Sequence, residues 1–470
     1  MVRPVLFERL LKIALLAPLV LYGLCAHLLR AAVLSPGFTK QQVYQGQVLA
    51  LAFCLLLYLG ILWLTRKYSP KISWIWGALL VFVATILIPT VMQTDQYRYI
   101  WNGSNLVRGL NPYDIIPLNS PEFKSVWWVG FINFPELPTI YPAFAELVFG
   151  LSSLINPYFW DSGTFYPGFA KTLFQVEFGW SVVVGLTLAF VIYLLRHRSW
   201  WIVACNPLFL ICAIGNKHIE ILLLPFILLL LNPRIFRKQT YTAGFALGLG
   251  IAAKWLPIII LPLLAQKLLH DKKRLAEILI LAFGVFACLT IPFMPAIYKS
   301  LATSTQSFSE NWVFFPYLFL VSQSIFGAQH VAFVKGSMAL IGLATLLVLV
   351  RAAFKAKKSS SLQFYSLWLL LVFVAVSPVI NPWYLLPLLV VGVRYWKVLM
   401  TPIIWPACAF FSQYYYVNDV MPWGYRVLFY GVISLFVLRD LWVSRRRLFH
   451  TKVRSQESDD SWLLASAKQN

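Results

Sequence analysis

Apolar runs close to the length of a bilayer crossing recur along almost the whole chain, and few folds can accommodate them. A helix needs ~20 predominantly apolar residues to cross the hydrocarbon core, where every backbone polar group must be satisfied within the segment. Of the 470 residues, 60% are hydrophobic and 12% charged, and the mean hydropathy is +0.73. Soluble domains carry about 25% charged residues. The expected fold class is an all-α, polytopic membrane protein. A transmembrane β-barrel, with short segments of alternating polarity, finds no support in these runs.

The formal net charge of +22 would point to nucleic acid in a soluble protein. Here the basic residues gather in short segments between apolar runs, where the positive-inside rule expects them, so the charge reads as topology and no nucleic-acid partner is expected. The six cysteines form no CxxC pair, which leaves neither a disulfide framework nor a metal site indicated. The N-terminal apolar run continues to about Val33 without an A-x-A-like site and reads as a first span, not a cleaved signal.

About twelve spans are placed, at 11–33, 47–65, 73–91, 172–195, 199–214, 218–231, 276–297, 331–353, 361–378, 382–396, 398–417 and 424–443. Two further segments, 141–155 and 241–265, are expected to be re-entrant or partial, the second a hairpin of short helices interrupted at Lys254-Trp255-Leu256-Pro257. Arg66, Lys67 and Lys71 put the segment between the second and third spans, and both termini, in the cytoplasm. Residues 1–450 form one membrane domain without an internal repeat, and the polar stretch 451–470 reads as a disordered cytoplasmic tail.

The exception to this pattern is the polar, aromatic and proline-rich stretch 92–140, a large first loop on the extracytoplasmic side. Ionisable groups near a bilayer are costly and mark function. A short helix is expected from Gln96 to about Val107, on which Asp95, Arg98, Tyr99 and Asn102 share one face. A carboxylate there suits a general base for an acceptor hydroxyl, with Arg98, Tyr99 and Trp101 holding an anionic or sugar ligand. The competing reading makes Asp95 an N-cap and the aromatic residues interfacial anchors. Lys254, inside an apolar segment, carries an insertion penalty of ~2.5–3.5 kcal/mol and therefore calls for a phosphate or carboxylate partner.

The run DQYRYIWNG, followed by GLNPY and then PTIYP at Pro138–Pro142, resembles the first extracytoplasmic loop of GT-C fold glycosyltransferases. These bacterial enzymes use polyprenyl-phosphate sugars, and the likeness is strongest to the α-mannosyltransferase-like members. The family form is close to D-x-Y-R-Y-x-W-D-G, then G-x-N-P-Y and P-T-x-Y-P-P. The resemblance implies that Asp95 is the catalytic base. It also aligns Lys217-His218-x-Glu220 with a polar patch that would hold the donor phosphate, and Asn381-Pro382-Trp383-Tyr384 with an H-P-W-Y segment. Asn311 and Trp312 correspond loosely to sugar contacts, and Asn381 and Tyr384 are further candidate contacts. The family's second loop acid is Asn102 here, its second proline is Ala143, and its H-P-W-Y histidine is Asn381. Losing the second carboxylate removes any acidic pair for a hard cation, so no metal or other cofactor is expected.

The implied activity is inverting transfer of a hexose, mannose by resemblance, from a polyprenyl-phosphate donor to a lipid or glycan acceptor on the outer face of a bacterial plasma membrane. Asn102-Gly103-Ser104 is an N-glycosylation sequence inside the expected site, which disfavours an endoplasmic reticulum lumen. A transporter or flippase of a lipid-linked saccharide is the alternative from another class, and a non-catalytic subunit a third.

Overall fold

In the computed structural model the regular structure of the described residues is almost all helical, apart from a two-residue antiparallel pairing of Trp160–Asp161 with Thr164–Phe165 and a single bridge between Phe314 and Val379. The structure describes residues 2–33, 35, 37–67, 72–91, 94–161, 164–165, 171–196, 199–311, 313–319, 325, 331–355, 361–412 and 423–449. The tail expected at 451–470 lies outside the described residues.

Among the described residues six helices are long and apolar enough to cross a membrane: Leu11–Val33, Gln41–Arg66, Leu173–Leu194, Lys272–Phe293, Ala332–Phe354 and Gly424–Arg445. A seventh crossing results if Phe209–Gly215 and Ile219–Leu230, which meet at 91°, count as one bent span. Shorter apolar helices include Trp74–Leu87, Ala143–Leu154, Thr240–Ala253 and Pro257–Leu268. This is a polytopic membrane protein. Its outward faces carry large apolar side chains such as Leu28, Trp63, Phe283 and Leu435, each more than half exposed, which water would not tolerate at this density.

Some of the expected runs are not continuous α-helices. The run at 199–214 divides into Trp200–Ala204 and Phe209–Gly215, with the Asn206 side chain accepting from the Leu208 amide beside Pro207. The run at 382–396 is helical without a gap but changes from a 3-10 turn at Pro382–Leu385 to α-helix at Leu386–Gly392 and back to a 3-10 turn at Val393–Tyr395. Proline removes a helix hydrogen bond in each, and buried surroundings replace what lipid could not supply.

The Leu173–Leu194 helix is central, with 61% of its most apolar window buried, against 11% for the peripheral Lys272–Phe293. Trp74–Leu87 packs along it, and the Asp95–Val107 helix packs along Ala143–Leu154. Glycines make both approaches to Ala143–Leu154 possible. A Cβ on Gly103 would collide with the Phe149 carbonyl, and one on Gly179 with the Ser152 carbonyl. The Asp95 helix ends where Gly109 adopts φ +77°, donating to the Leu106 carbonyl, while the Leu110 amide donates to the Asn105 carbonyl. That left-handed glycine closes the helix and turns the chain toward Asn111-Pro112.

Candidate active site

Asp95 opens the loop helix, but its carboxylate does not spend itself on capping. Thr94 is the N-cap, without a side-chain capping bond. Asp95 Oδ1 accepts from Asn133 Nδ2 at 2.8 Å, and Oδ2 lies 2.8 Å from His218 Nε2. The other imidazole nitrogen, Nδ1, contacts Glu220, and Glu220 in turn accepts from Lys254 Nζ. Residues spread over 160 positions of sequence thus form one line, Asp95, His218, Glu220, Lys254. Ionised carboxylates only accept hydrogen bonds, so with both ionised the two imidazole nitrogens both donate. The sequence expectation that Lys254 needs an anionic partner is met by Glu220.

The line is fixed from its sides. The Trp383 ring stacks on His218 with centroids 3.9 Å apart and planes 18° from parallel. The Tyr384 ring lies 5.0 Å from Lys254 Nζ. The Tyr99 hydroxyl sits 3.4 Å from His218 Nε2, while its ring stacks on Phe149 at 4.8 Å. Burial raises the Tyr99 phenol well above its ordinary value, which keeps it protonated. Asn381 is buried at the start of the Pro382–Leu385 turn, and its carbonyl accepts from the Tyr384 amide. The side chains at the expected sugar contacts Asn311 and Trp312 lie outside the described residues.

Three expected ligand-binding residues do other work. Lys217 faces away from the line: its ammonium donates to the Ile88 and Gly215 carbonyls at 2.9 and 3.2 Å and lies 3.7 Å from Glu177 Oε2. Glu177 also accepts from Tyr97 and Thr90 hydroxyls and pairs with Arg30. The physical reason is the bend at this point, where Lys217 adopts φ +50° and turns its side chain inward as His218 turns toward Asp95. Trp180 Nε1 holds the bend by donating to the Lys217 carbonyl at 2.8 Å.

Arg98 is likewise committed. It donates to the Leu137 and Phe134 carbonyls at 2.8 and 3.4 Å and to Asn102 Oδ1 at 3.1 Å, clamping the returning loop. Burial lowers its guanidinium from the ordinary value, and these carbonyls offset that desolvation. Asn102 donates to Thr139 Oγ1 and Glu146 Oε1, both at 2.9 Å. The expected common face therefore divides: Asp95 and Tyr99 meet His218, whereas Arg98 and Asn102 meet the loop. Trp101 is buried away from the line, in the wall of a separate cavity.

Glu146, Glu177 and Asn133 are the site-building residues that motif reasoning passed over, and Trp383 stood inside the quoted Asn381–Tyr384 run without a role of its own. Glu146 and Glu177 carried a usable signal, since each is a carboxylate inside an apolar run. Asn133 carried none. Beside the line, an apolar cavity of about 150 Å³ is lined by Pro142, Trp255, Phe286, Met294 and Tyr298, among others. Among the described residues no group of three or more His, Cys, Asp or Glu is placed to hold a metal ion. The chain matches no family model, no curated protein and no solved structure.

Proposed function

We propose that the chain is a GT-C-like glycosyltransferase that moves a hexose from a polyprenyl-phosphate donor to a lipid or glycan hydroxyl on the extracytoplasmic face of a bacterial plasma membrane. The observation that carries this reading is the line from Asp95 through His218 and Glu220 to Lys254, with Asp95 still 20% exposed at one end and Lys254 29% exposed at the other. A base and a cation, each reachable and joined by buried groups, suit a reaction that takes a proton at one point and develops negative charge at another.

In this scheme Asp95 takes the proton of the acceptor hydroxyl. The hydroxyl oxygen forms the new bond to the anomeric carbon as the bond to the phosphate oxygen breaks with its electron pair, inverting the centre. Lys254 keeps ammonium donors beyond the one given to Glu220, and these meet the departing phosphate. His218 and Asn133 orient the two Asp95 oxygens, and the apolar cavity beside Trp255 takes the first part of the donor lipid. No metal is written into the scheme, because the cation comes from Lys254. Twelve crossings follow in this reading if the shorter apolar helices stack within the bundle, with both termini cytoplasmic.

The test is transfer of labelled mannose from polyprenyl-phosphate mannose to a membrane-lipid extract by purified wild type and Asp95→Asn. Activity in the wild type that collapses in the variant supports the scheme, and equal activity in both removes Asp95 as base. A broken helix such as that at Gly215–Ile219 also occurs in transporters. Absence of transfer by the wild type with every lipid-phosphate sugar tried would favour that second reading.

A further inference from the structure

A second cavity, about 470 Å³, opens at the far end of the Asp95 helix, with Trp101, Asn105, Arg108, Asp114, Ser120 and Glu122 in its wall. Two features set it apart from an accidental crevice. Asn105 is 2% exposed, yet its Nδ2 has no hydrogen-bond partner among the described residues, and the same holds for Nη1 of Arg108. Buried donors are ordinarily satisfied, so two without a partner on residues that wall one cavity mark groups that a molecule settling there can satisfy. The guanidinium is also held in place, because its other Nη donates to Glu122 Oε1 at 2.7 Å.

The chemistry of the wall selects the occupant. Asn105 and Arg108 offer donors, Asp114 and Glu122 offer carboxylate acceptors, and Leu110 and Ile115 offer apolar surface. An anion would meet two carboxylates, and an apolar molecule would leave the donors open. A neutral polyhydroxylated ring uses all three kinds of group. We propose that this cavity binds a hexose residue of a neutral glycan, at a subsite separate from the reacting centre. Asn105 stands ten residues beyond Asp95, ~15 Å along the helix at 1.5 Å per residue. The bound residue is therefore an internal sugar of an extended acceptor and not the one that receives the new bond. The word acceptor rests on the transferase reading; the saccharide site itself does not.

The experiment is saturation-transfer NMR on the full chain in lipid nanodiscs, with a neutral α-linked mannotriose and with inorganic phosphate as probes, on wild type, Asp95→Asn, Asn105→Ala and Asp114→Asn. Asp114 is exposed, so its variant tests the cavity without endangering the fold. The expected result is trisaccharide binding by wild type and Asp95→Asn alike. Affinity should fall roughly fivefold to tenfold in each cavity variant, the worth of one ordinary hydrogen bond. Phosphate should give no competing signal. Saccharide binding by a wild type that transfers no sugar would uphold this site while removing the transferase reading. A wild type that transfers sugar yet binds no trisaccharide, or binds it unchanged in both cavity variants, would overturn the site and leave the transferase reading standing. Displacement of the trisaccharide by phosphate would also overturn it.

Discussion

Glu220→Gln is the most informative single change, because Glu220 meets no substrate in the scheme and acts by holding His218 and Lys254. Glutamine keeps the shape and one acceptor but removes the charge. A hydrogen bond to a charged group contributes ~1.5–3 kcal/mol, and each ~1.36 kcal/mol of transition-state stabilisation is tenfold in rate. If that orientation is felt fully at Asp95, kcat falls roughly tenfold to 150-fold. The fold should survive: removing one partner of a fully buried pair costs ~3–5 kcal/mol, and Lys254, 29% exposed, can recruit water to reduce that. The assay is labelled-sugar transfer at saturating donor, below the thermal transition of the variant. A double variant with Asp95→Asn should lose less than the sum of the two single losses, because both changes act through His218. Activity of Glu220→Gln within twofold of wild type, or losses that add to within ~0.5 kcal/mol, would refute the idea that these residues act as one line.

Lys217→Met should destabilise the protein by ~3–5 kcal/mol, read as a lowered thermal transition, because it leaves Glu177 short of a partner in a buried network. Gly103→Ala should cost at least ~1–3 kcal/mol by forcing the Asp95 helix off the Phe149 carbonyl, and should lower transfer with it. Burial would raise the Glu122 carboxyl, but the hydrogen bond and charge of Arg108 outweigh it and hold the carboxyl below its ordinary value. The pair's contribution is therefore fully present at neutral pH and lost as pH falls through that lowered value, so saccharide affinity at the second cavity should fall in acid and not in mild alkali. Trp383→Ala should lower kcat by freeing the His218 ring, while Trp383→Phe, which keeps a stacking face, should restore most of it.

What could be read from the residues differs by kind of interaction. Membrane class, the Asp95 helix and the demand for a partner at Lys254 follow from local pattern and from the penalty on charge in apolar surroundings, both of which sequence carries directly. The direction of a side chain at a bend is not local. Lys217 and His218 are neighbours, and a positive φ between two short helices sends one toward Glu177 and the other toward Asp95. A motif gives them one role because it carries no dihedral angle. Arg98 shows a related limit: an arginine bonded to main-chain carbonyls of its own loop looks, in sequence, like one aimed at a ligand. The divided run at 199–214 shows the remaining gap, since hydropathy sums over residues that Pro207 keeps from forming one helix.

Two buried donors, Asn102 and Thr139, converge on the Glu146 carboxylate, and they give a reason for an asparagine at 102 where the resembled pattern has a second acid. Asn102, at that position, donates to Glu146, which reaches the same place from the Ala143–Leu154 helix with Thr139 bonded to it at 2.6 Å. Thr139 is tied in turn to the Ala296–Asn311 helix, where Ser300 donates to its carbonyl at 2.5 Å. A carboxylate at 102 beside Glu146 would put two like charges in a buried space holding one guanidinium, Arg98, and one of them would have to be protonated. Asparagine avoids that conflict while supplying the donor that Glu146 needs. Asn102→Asp should therefore not restore a missing function. It should lower stability at neutral pH, and the loss should shrink in acid as the extra carboxyl takes a proton, a pH trend in thermal unfolding that a second catalytic acid at 102 would not produce.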